Sequence, residues 1–147
     1  MKILLIHAEK FMWRVREKAK VSISDTLTDE NEHVEIENVL VAFTTFEKED
    51  EKNVEAISKR AVENIIEVAE RINVKKVVLY PYAHLSKKLG KPTKAIEALD
   101  TISEKLSEKG YEVIRSPFGY YKEFLLHCKG HPLAESLREI NMNNNYS

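Results

Sequence analysis

A few polar side chains lie at the ends of predicted strands and helices, where a rigid scaffold commonly places chemistry. His84 follows one short predicted strand, Tyr120, Tyr121 and Lys122 begin another, and Glu135 lies in the first turn of a predicted helix. Imidazole, phenol, ammonium and carboxylate groups supply hydrogen bonds and transfer protons. Each also has an ordinary structural role, such as a loop hydrogen bond or a favourable charge at a helix N-terminus.

A cluster of lysines follows His84. The segment from Pro81 to Ile96 carries no acidic residue and four basic ones, Lys87, Lys88, Lys91 and Lys94. Concentrated positive charge is what binding to nucleic-acid phosphates requires, although the whole chain has a net charge of only −1. A solvated basic loop is the ordinary alternative.

Motifs for nucleotide cofactors and metals are not convincing. The run from Gly90 to Thr93 resembles a phosphate-binding loop, but it lacks the upstream glycine, and Pro92 removes one backbone N–H. Four glycines in the whole chain are too dispersed for a dinucleotide fingerprint. His127 and Cys128 are adjacent in a predicted strand and would point to opposite faces, which disfavours a shared metal ion. We therefore predict no cofactor and no metal.

The first half of the chain is predicted to be mainly strands. Lys2 to His7 contains a continuous apolar run, and Phe11 to Arg16 alternates with period two, so two short strands are expected. The polar stretch from Ser22 to His33 is typical of a surface loop. Val34 to Phe46 returns to strand character, with β-branched residues enriched.

Helices enter in the second half. After Asn53, a plausible N-cap, apolar residues recur at spacings of three and four from Val54 to Ile72, which predicts an amphipathic helix. A strand at Val77 to Tyr80 is followed by a second helix from Pro92 to Lys109. Two more strands are predicted at Tyr111 to Arg115 and Tyr121 to Cys128.

A short third helix is predicted from Pro132, with Leu133, Leu137 and Ile140 on one side. The order is then β-β-β-α-β-α-β-β-α. Interleaved helices, hairpins and single strands indicate an α/β fold in which a mixed β-sheet is covered by two main helices.

Composition limits the domain count. The chain has 147 residues and 43% hydrophobic residues, enough for one core. We assign residues 1–140 to a single domain and the Asn-rich residues 141–147 to a tail or the start of a linker. No apolar stretch approaches the ~20 residues of a membrane span, and the lone Cys128 excludes an internal disulfide. We expect a cytoplasmic protein without a membrane partner.

Two segments carry a resemblance to a known family. Tyr80-Pro81-Tyr82-Ala83-His84-Leu85-Ser86 is the first, and the second is Pro117-Phe118-Gly119-Tyr120-Tyr121-Lys122, followed by residues 128–135. With them, the chain from Met1 to about Ile140 resembles the N-terminal editing domain of archaeal threonyl-tRNA synthetase. The resemblance implies a fold like that of the D-aminoacyl-tRNA deacylases, a homodimer, and hydrolysis of serine wrongly attached to threonine tRNA.

The resemblance also implies roles for individual residues. Lys122 would be the principal catalytic side chain, with His84, Tyr121 and Glu135 around the seryl group. The contacts to the terminal adenosine and the amino acid would come from Phe46, Pro81, Ala83, Phe118, Gly119 and Tyr120. The ribose 2′-hydroxyl of that adenosine would take part in the reaction. The four lysines would contact the acceptor end of tRNA(Thr), other domains of the same synthetase would be partners, and no cofactor is implied.

The sequence departs from the family pattern at two places. His7-Ala8-Glu9 stands where His-Ser-Asp is common, and Phe46 is bulkier than the expected small aliphatic residue. Two other functions stay open from the sequence: a general D-aminoacyl-tRNA deacylase, and a non-catalytic tRNA-binding or dimerisation module of a synthetase.

Overall fold

The computed structural model describes residues 1–142 and shows one mixed β-sheet with two helices packed on one face. Its elements are β1 (Lys2–Lys18), β2 (His33–Thr45), α1 (Val54–Arg71), β3 (Lys76–Pro81), α2 (Pro92–Glu108), β4 (Glu112–Arg115), β5 (Tyr120–Cys128) and β6 (Glu135–Glu139). Short 3-10 helices occupy Lys48–Lys52 and Ala83–Leu85. The α/β architecture with two main helices confirms the expected fold class. Residues 143–147, most of the predicted tail, lie outside the described residues.

The strand order explains how the sheet is held together. It runs β4-β3-β2-β1-β5, with β6 also paired to β1. The β2-β3 and β3-β4 pairs are parallel, whereas β1 pairs antiparallel with β2, β5 and β6. Residues 2–6 of β1 pair with β6, and residues 8–18 pair with β5. The length of β1 therefore allows two strands to share one of its edges.

The prediction of two separate N-terminal strands is wrong, because β1 is continuous over 17 residues. Ile6 and Ala8 share a buried cluster with Phe11 and Trp13, so the alternation changes phase near Glu9. Asn38, with a φ of 48°, lies at the corresponding point of β2, and the ladder omits this pair. A local irregularity thus resembles a strand break in the sequence pattern.

The predicted third helix is also wrong, because Glu135–Glu139 form β6. Its Leu137 is 54% exposed rather than packed on a helix face, while Ile140 is buried. So short a helix gains little from cooperative hydrogen bonding, whereas the free edge of β1 offers a full set of backbone partners.

The helices α1 and α2 cover one face of the sheet. The N-cap assignment is confirmed, since the Asn53 side chain accepts a hydrogen bond from the Ala56 N–H. The buried stripe of α1 includes Ile57, Ala61 and Ile65, and that of α2 includes Leu99 and Ile102. They pack with apolar residues of β1, β2 and β3 into a continuous core. No helix within residues 1–142 is long and apolar enough to cross a membrane.

The other face of the sheet carries an aromatic cluster. The distances between its rings show that the sheet is strongly curved. The rings of Phe124 in β5 and Tyr80 in β3 are 5.7 Å apart. In a flat sheet, the intervening β1 and β2 would keep β5 and β3 about 14 Å apart. The sheet therefore curls until β5 faces β3, and the residues at the start of β5 reach the carboxyl end of β3.

Candidate active site

A cavity of about 380 Å³ opens where the carboxyl end of β3, the first turns of α2 and the start of β5 meet. The predicted site residues that line it are Phe46, Pro81, Ala83, His84, Phe118, Gly119, Tyr120, Tyr121 and Lys122. The structure therefore brings together residues that are up to 76 positions apart in the chain (122 − 46). Its wall is mainly apolar, and no Asp or Glu is among the described residues that line it.

Lys122 is the lysine among the described residues that line this mainly apolar cavity. Its Nζ donates a hydrogen bond to Ser116 Oγ at 2.7 Å and lies 4.3 Å from the centroid of the Tyr80 ring. Burial lowers the pKa of Lys122 from 10.5 to about 7; Asp25 opposes this shift and Arg115 adds to it. A substantial fraction of Lys122 is therefore an uncharged amine at neutral pH.

The Tyr80 phenol responds to the same environment in the opposite direction. Burial, and then the neighbouring Tyr82, raise the pKa of Tyr80 far above its ordinary value. The phenol stays neutral at physiological pH, so Tyr80 presents its π-face to Lys122 as a neutral ring. Among the titratable groups of this pair, Lys122 is the one that changes charge near pH 7.

The segment after β3 is held against the end of β2. Tyr82 N–H donates to the Thr44 carbonyl at 2.9 Å, and Thr45 Oγ1 donates to the Tyr82 carbonyl. These bonds fix the backbone that presents Ala83 and His84 at the cavity. His84 is exposed, and its ring packs edge-on against Tyr82 with centroids 5.0 Å apart.

Phe46 fills one side of the cavity and is 7% exposed. Gly90 lies directly against it: a Cβ on Gly90 would stand 2.5 Å from Phe46 Cδ2. The Gly90 N–H also donates to the Phe46 carbonyl at 3.1 Å. The bulky residue at position 46 is accommodated because position 90 has no side chain.

The four lysines do not line the cavity, although Leu89, Gly90 and Pro92 between them do. All four are exposed beside its rim. The Lys91 N–H is held by Glu51 Oε2 at 2.7 Å, and Lys94 Nζ lies 3.3 Å from Glu97. The cluster is thus adjacent to the cavity but partly balanced by acids.

Glu135 does not reach the site. It lies in β6 opposite Ile6 of β1, is exposed, and accepts a contact from Cys128 Sγ at 3.5 Å. Cys128 is six residues beyond Lys122 in the same strand, a separation of about 20 Å. The expected helix at Glu135 is wrong, and within one chain the structure does not bring Glu135 to the cavity that Lys122 lines. Its place around the seryl group stays a prediction.

Sequence reasoning missed several residues that shape the cavity. Ser116 lies between two predicted strands, and Asp25 lies in a polar stretch without periodicity, so neither carries a local signal in the sequence. Tyr80 was recognisable, because it immediately precedes Pro81 in one of the two motif segments. The roles of Ser116 and Asp25 depend on contacts between distant parts of the chain.

The chemistry available here is that of an amine in an apolar, partly enclosed space. A neutral lysine can accept a proton from water, and a protonated one can stabilise negative charge on an ester carbonyl oxygen. The backbone and aromatic groups can position a small amino acid and a base. Within residues 1–142, no three His, Cys, Asp or Glu side chains are grouped to hold a metal ion.

Comparison with known proteins agrees with the motif segments. A family model described as the Archaea-specific editing domain of threonyl-tRNA synthetase matches residues 1–140. The threonine–tRNA ligase of Thermococcus gammatolerans is 48% identical over 140 residues, that of Pyrococcus horikoshii 46%, and that of Methanococcus aeolicus 41%. Each alignment covers 95% of this chain but only 22% of the relative. The chain thus spans about a fifth of the length of these curated relatives.

Proposed function

Because the chain belongs to the archaea-specific family of threonyl-tRNA synthetase editing domains, we propose that it hydrolyses L-serine from mischarged seryl-tRNA(Thr) and spares threonyl-tRNA(Thr). The observation that carries the proposal is the placement of Lys122, with a pKa lowered to about 7, in a cavity lined by both motif segments. An amine with this pKa can transfer a proton or stabilise developing charge near neutral pH, which ester hydrolysis can use and a purely structural sheet cannot.

The need for a second site has a simple energetic origin. Serine lacks one methyl group of threonine, and a missing methylene-sized contact supplies only about 1–3 kcal/mol of discrimination. A synthetic site that accepts threonine therefore also accepts serine at an appreciable rate. A separate cavity can then bind the smaller aminoacyl ester and expose it to water.

In the proposed reaction, water attacks the ester carbonyl beside Lys122, the acyl–oxygen bond breaks, and free serine and uncharged tRNA are released. Lys122 orients the water or stabilises the charge that develops on the carbonyl oxygen. His84 and Tyr121, at the exposed rim, donate hydrogen bonds to the seryl group or ribose.

The apolar and backbone groups of the cavity hold the terminal adenosine and the amino acid. They are Phe46, Pro81, Ala83, Phe118, Gly119 and Tyr120. Since no carboxylate is among the described lining residues, we include the ribose 2′-hydroxyl of the substrate as a participant in the reaction.

The proposed partners follow from the same site. The lysines at 87, 88, 91 and 94 would contact acceptor-end phosphates, and the near-balanced net charge of −1 favours weak, salt-sensitive binding by this domain alone. The remaining domains of a synthetase would hold the rest of the tRNA. We also propose that the domain forms a homodimer, works in the cytoplasm and needs no cofactor for hydrolysis.

Ester specificity tests the proposal. The chain is incubated with threonine tRNA carrying L-serine, L-threonine or D-serine, and ester loss is measured against the protein-free rate. We expect fast loss of L-serine alone. Faster loss of D-serine would identify a general D-aminoacyl-tRNA deacylase, and tRNA binding without hydrolysis would identify a binding module. Participation of the ribose 2′-hydroxyl is tested separately. A seryl-tRNA(Thr) that ends in 2′-deoxyadenosine lacks this hydroxyl and should not be hydrolysed.

A further inference from the structure

The connection between β1 and β2 is fastened to the turn between β4 and β5 at Asp25. The Phe118 N–H donates to Asp25 Oδ2 at 2.8 Å, and the Asp25 N–H donates to the Phe118 carbonyl at 3.0 Å. The Tyr120 hydroxyl donates to the Asp25 carbonyl at 2.9 Å. Arg115 Nη2 forms an ion pair with Asp25 Oδ2 at 3.2 Å. One residue therefore binds the turn through its side chain and both of its backbone polar groups.

The close approach depends on Gly119. This residue has a φ of 95°, and a Cβ built on it would stand 2.5 Å from Ser24 Cβ. The Gly119 carbonyl accepts a hydrogen bond from the Ala19 N–H at 2.9 Å. Ala19 and Val21 then form part of the cavity wall. The β1-β2 connection is thus a wall of the site rather than a separate surface loop.

The same turn holds the lysine. Ser116 is fully buried, accepts the hydrogen bond from Lys122 Nζ, and is fixed by donation of its N–H to the Leu79 carbonyl at 3.0 Å. Arg115 precedes Ser116, and its guanidinium joins Asp25 to Asp100 of α2. A displacement of Asp25 would therefore move the turn that orients Lys122.

From these contacts the geometry points to Asp25 as a positioning residue, whose carboxylate fixes the β4-β5 turn and acts electrostatically on the Lys122 ammonium. This inference deepens the proposed hydrolytic function, and it rests on that function only for its effect on the reaction rate. Asp25 is not among the residues that line the cavity, so it acts through Lys122 and its turn rather than on the ester.

The electrostatic effect has a defined sign. Asp25 raises the pKa of Lys122, against the larger lowering by burial and the smaller one by Arg115. The other titratable side chains around the cavity are Tyr80, Tyr82, His84, Tyr120 and Tyr121. Loss of the Asp25 charge with the turn intact should lower the Lys122 pKa further. Loosening of the turn would instead expose Lys122 and move its pKa up toward 10.5.

The experiment measures the direction in which the Lys122 pKa moves, because loss of charge and loosening of the turn change it in opposite directions. The Lys122 ε-methylene is titrated by ¹³C-edited NMR in the wild-type chain and in Asp25→Asn, with the signal assigned by its loss in Lys122→Met. Asp29→Asn is the matched control, because Asp29 is an exposed acid in the same connection. We expect a downward shift of the Lys122 midpoint in Asp25→Asn, whose amide oxygen can still accept from the Phe118 N–H. We expect an upward shift in Asp25→Ala, which removes this acceptor and loosens the turn, and no shift in Asp29→Asn.

An unchanged or upward-shifted midpoint in folded Asp25→Asn, or a midpoint in Asp25→Ala that is no higher than in Asp25→Asn, would overturn the inference. If Asp25→Asn does not fold, Asp25→Ser, which retains a hydroxyl acceptor for the Phe118 N–H, is titrated in its place with the same expected sign. The NMR titration needs no substrate. Failure of the wild-type chain to hydrolyse any ester would contradict the proposed function, whereas only the titration decides the role of Asp25.

Discussion

Lys122 Nζ lies over the Tyr80 ring, 4.3 Å from its centroid, although the two residues belong to strands separated by β1 and β2 in the sheet. This contact exists because the sheet curls until β5 faces β3. The burial of Lys122 in this curved sheet lowers its pKa to about 7, whereas the ring contact by itself favours the charged form. The curvature of the sheet is therefore linked to the proposed chemistry through the burial of Lys122.

Lys122 should make the stability of the protein depend on alkaline pH. Its pKa is about 7 in the folded chain and 10.5 ordinarily, so between these values the unfolded chain binds more protons. Stability must then rise with pH. We expect the free energy of unfolding of the wild type, relative to Lys122→Met, to increase by up to ~1.4 kcal/mol per pH unit above pH 7. Urea denaturation at pH 7.5 and 9.5 measures it. Lys59→Met is the control, because Lys59 is an exposed lysine of α1. The free energy of unfolding of the wild type relative to this variant should show no such increase with pH.

His7 should produce a second pH dependence, on the acid side. His7 Nδ1 lies 2.7 Å from His131 Nε2, and His7 Nε2 lies 2.9 Å from Asn38 Oδ1. The Leu133 N–H donates to His131 Nδ1 at 3.1 Å, which assigns the His131 proton to Nε2 and makes His7 Nδ1 an acceptor. Burial lowers the pKa of His7 below 6.5; Asn38 and Glu9 oppose this shift, and His131 and Lys129 add to it.

The unfolded chain consequently binds a proton at His7 more readily than the folded chain, so stability should fall as pH drops below 6.5. Denaturation of the wild type and His7→Gln at pH 5, 6 and 7 tests this. We expect a smaller pH slope in the variant, while His33→Gln, at an exposed position, should retain the wild-type slope. Equal slopes in all three proteins would contradict the assignment.

Alanine substitutions at Gly119 and Gly110 distinguish the cost of backbone strain from the cost of a clash with the β1-β2 connection. Their φ angles are 95° and 93°, but a Cβ on Gly110 would meet nothing within 4 Å. Gly110→Ala should cost about 1–2 kcal/mol of stability. Gly119→Ala should cost about 2–4 kcal/mol, because it also displaces Ser24. Thermal unfolding of both variants measures the difference, and equal losses would argue against the close approach.

Gly90 and Phe46 should be energetically coupled. Gly90→Ala places a Cβ 2.5 Å from the Phe46 ring and should cost about 1–3 kcal/mol. In a Phe46→Leu background the same change should cost less, since the smaller side chain leaves room. A double-mutant cycle by denaturation is expected to give a coupling energy of roughly 1 kcal/mol. Strict additivity would show that the two side-chain positions are independent.

The fold could be predicted from sequence wherever local periodicity and tertiary packing agree. The spacing of Ile57, Ala61 and Ile65 matches the buried stripe of α1, and Pro92 begins α2 as expected. The hydrophobic pattern gives a wrong prediction where pairing with a neighbouring strand determines the structure instead. The phase change near Glu9 makes the single strand β1 look like two strands in the sequence. Glu135–Glu139 form a strand because an edge of β1 is available.

The candidate site could be predicted only through its motif segments. They contain His84, Tyr121 and Lys122, which the structure places around one cavity. Glu135 belongs to a neighbouring run of sequence, but the direction of β5 carries the chain away from Lys122. Asp25 had no local signal, because its importance comes from contacts with Phe118 and Arg115, more than 85 residues away.

The central claim is that Lys122 drives hydrolysis of a seryl ester in this cavity. Its most direct test is the single-turnover rate of serine release from seryl-tRNA(Thr) by the wild-type chain and by Lys122→Met, compared at pH 7.5 after circular dichroism shows both to be folded. We expect rapid release by the wild type and a loss of at least ~100-fold in the variant. Equal rates for the two proteins would contradict it.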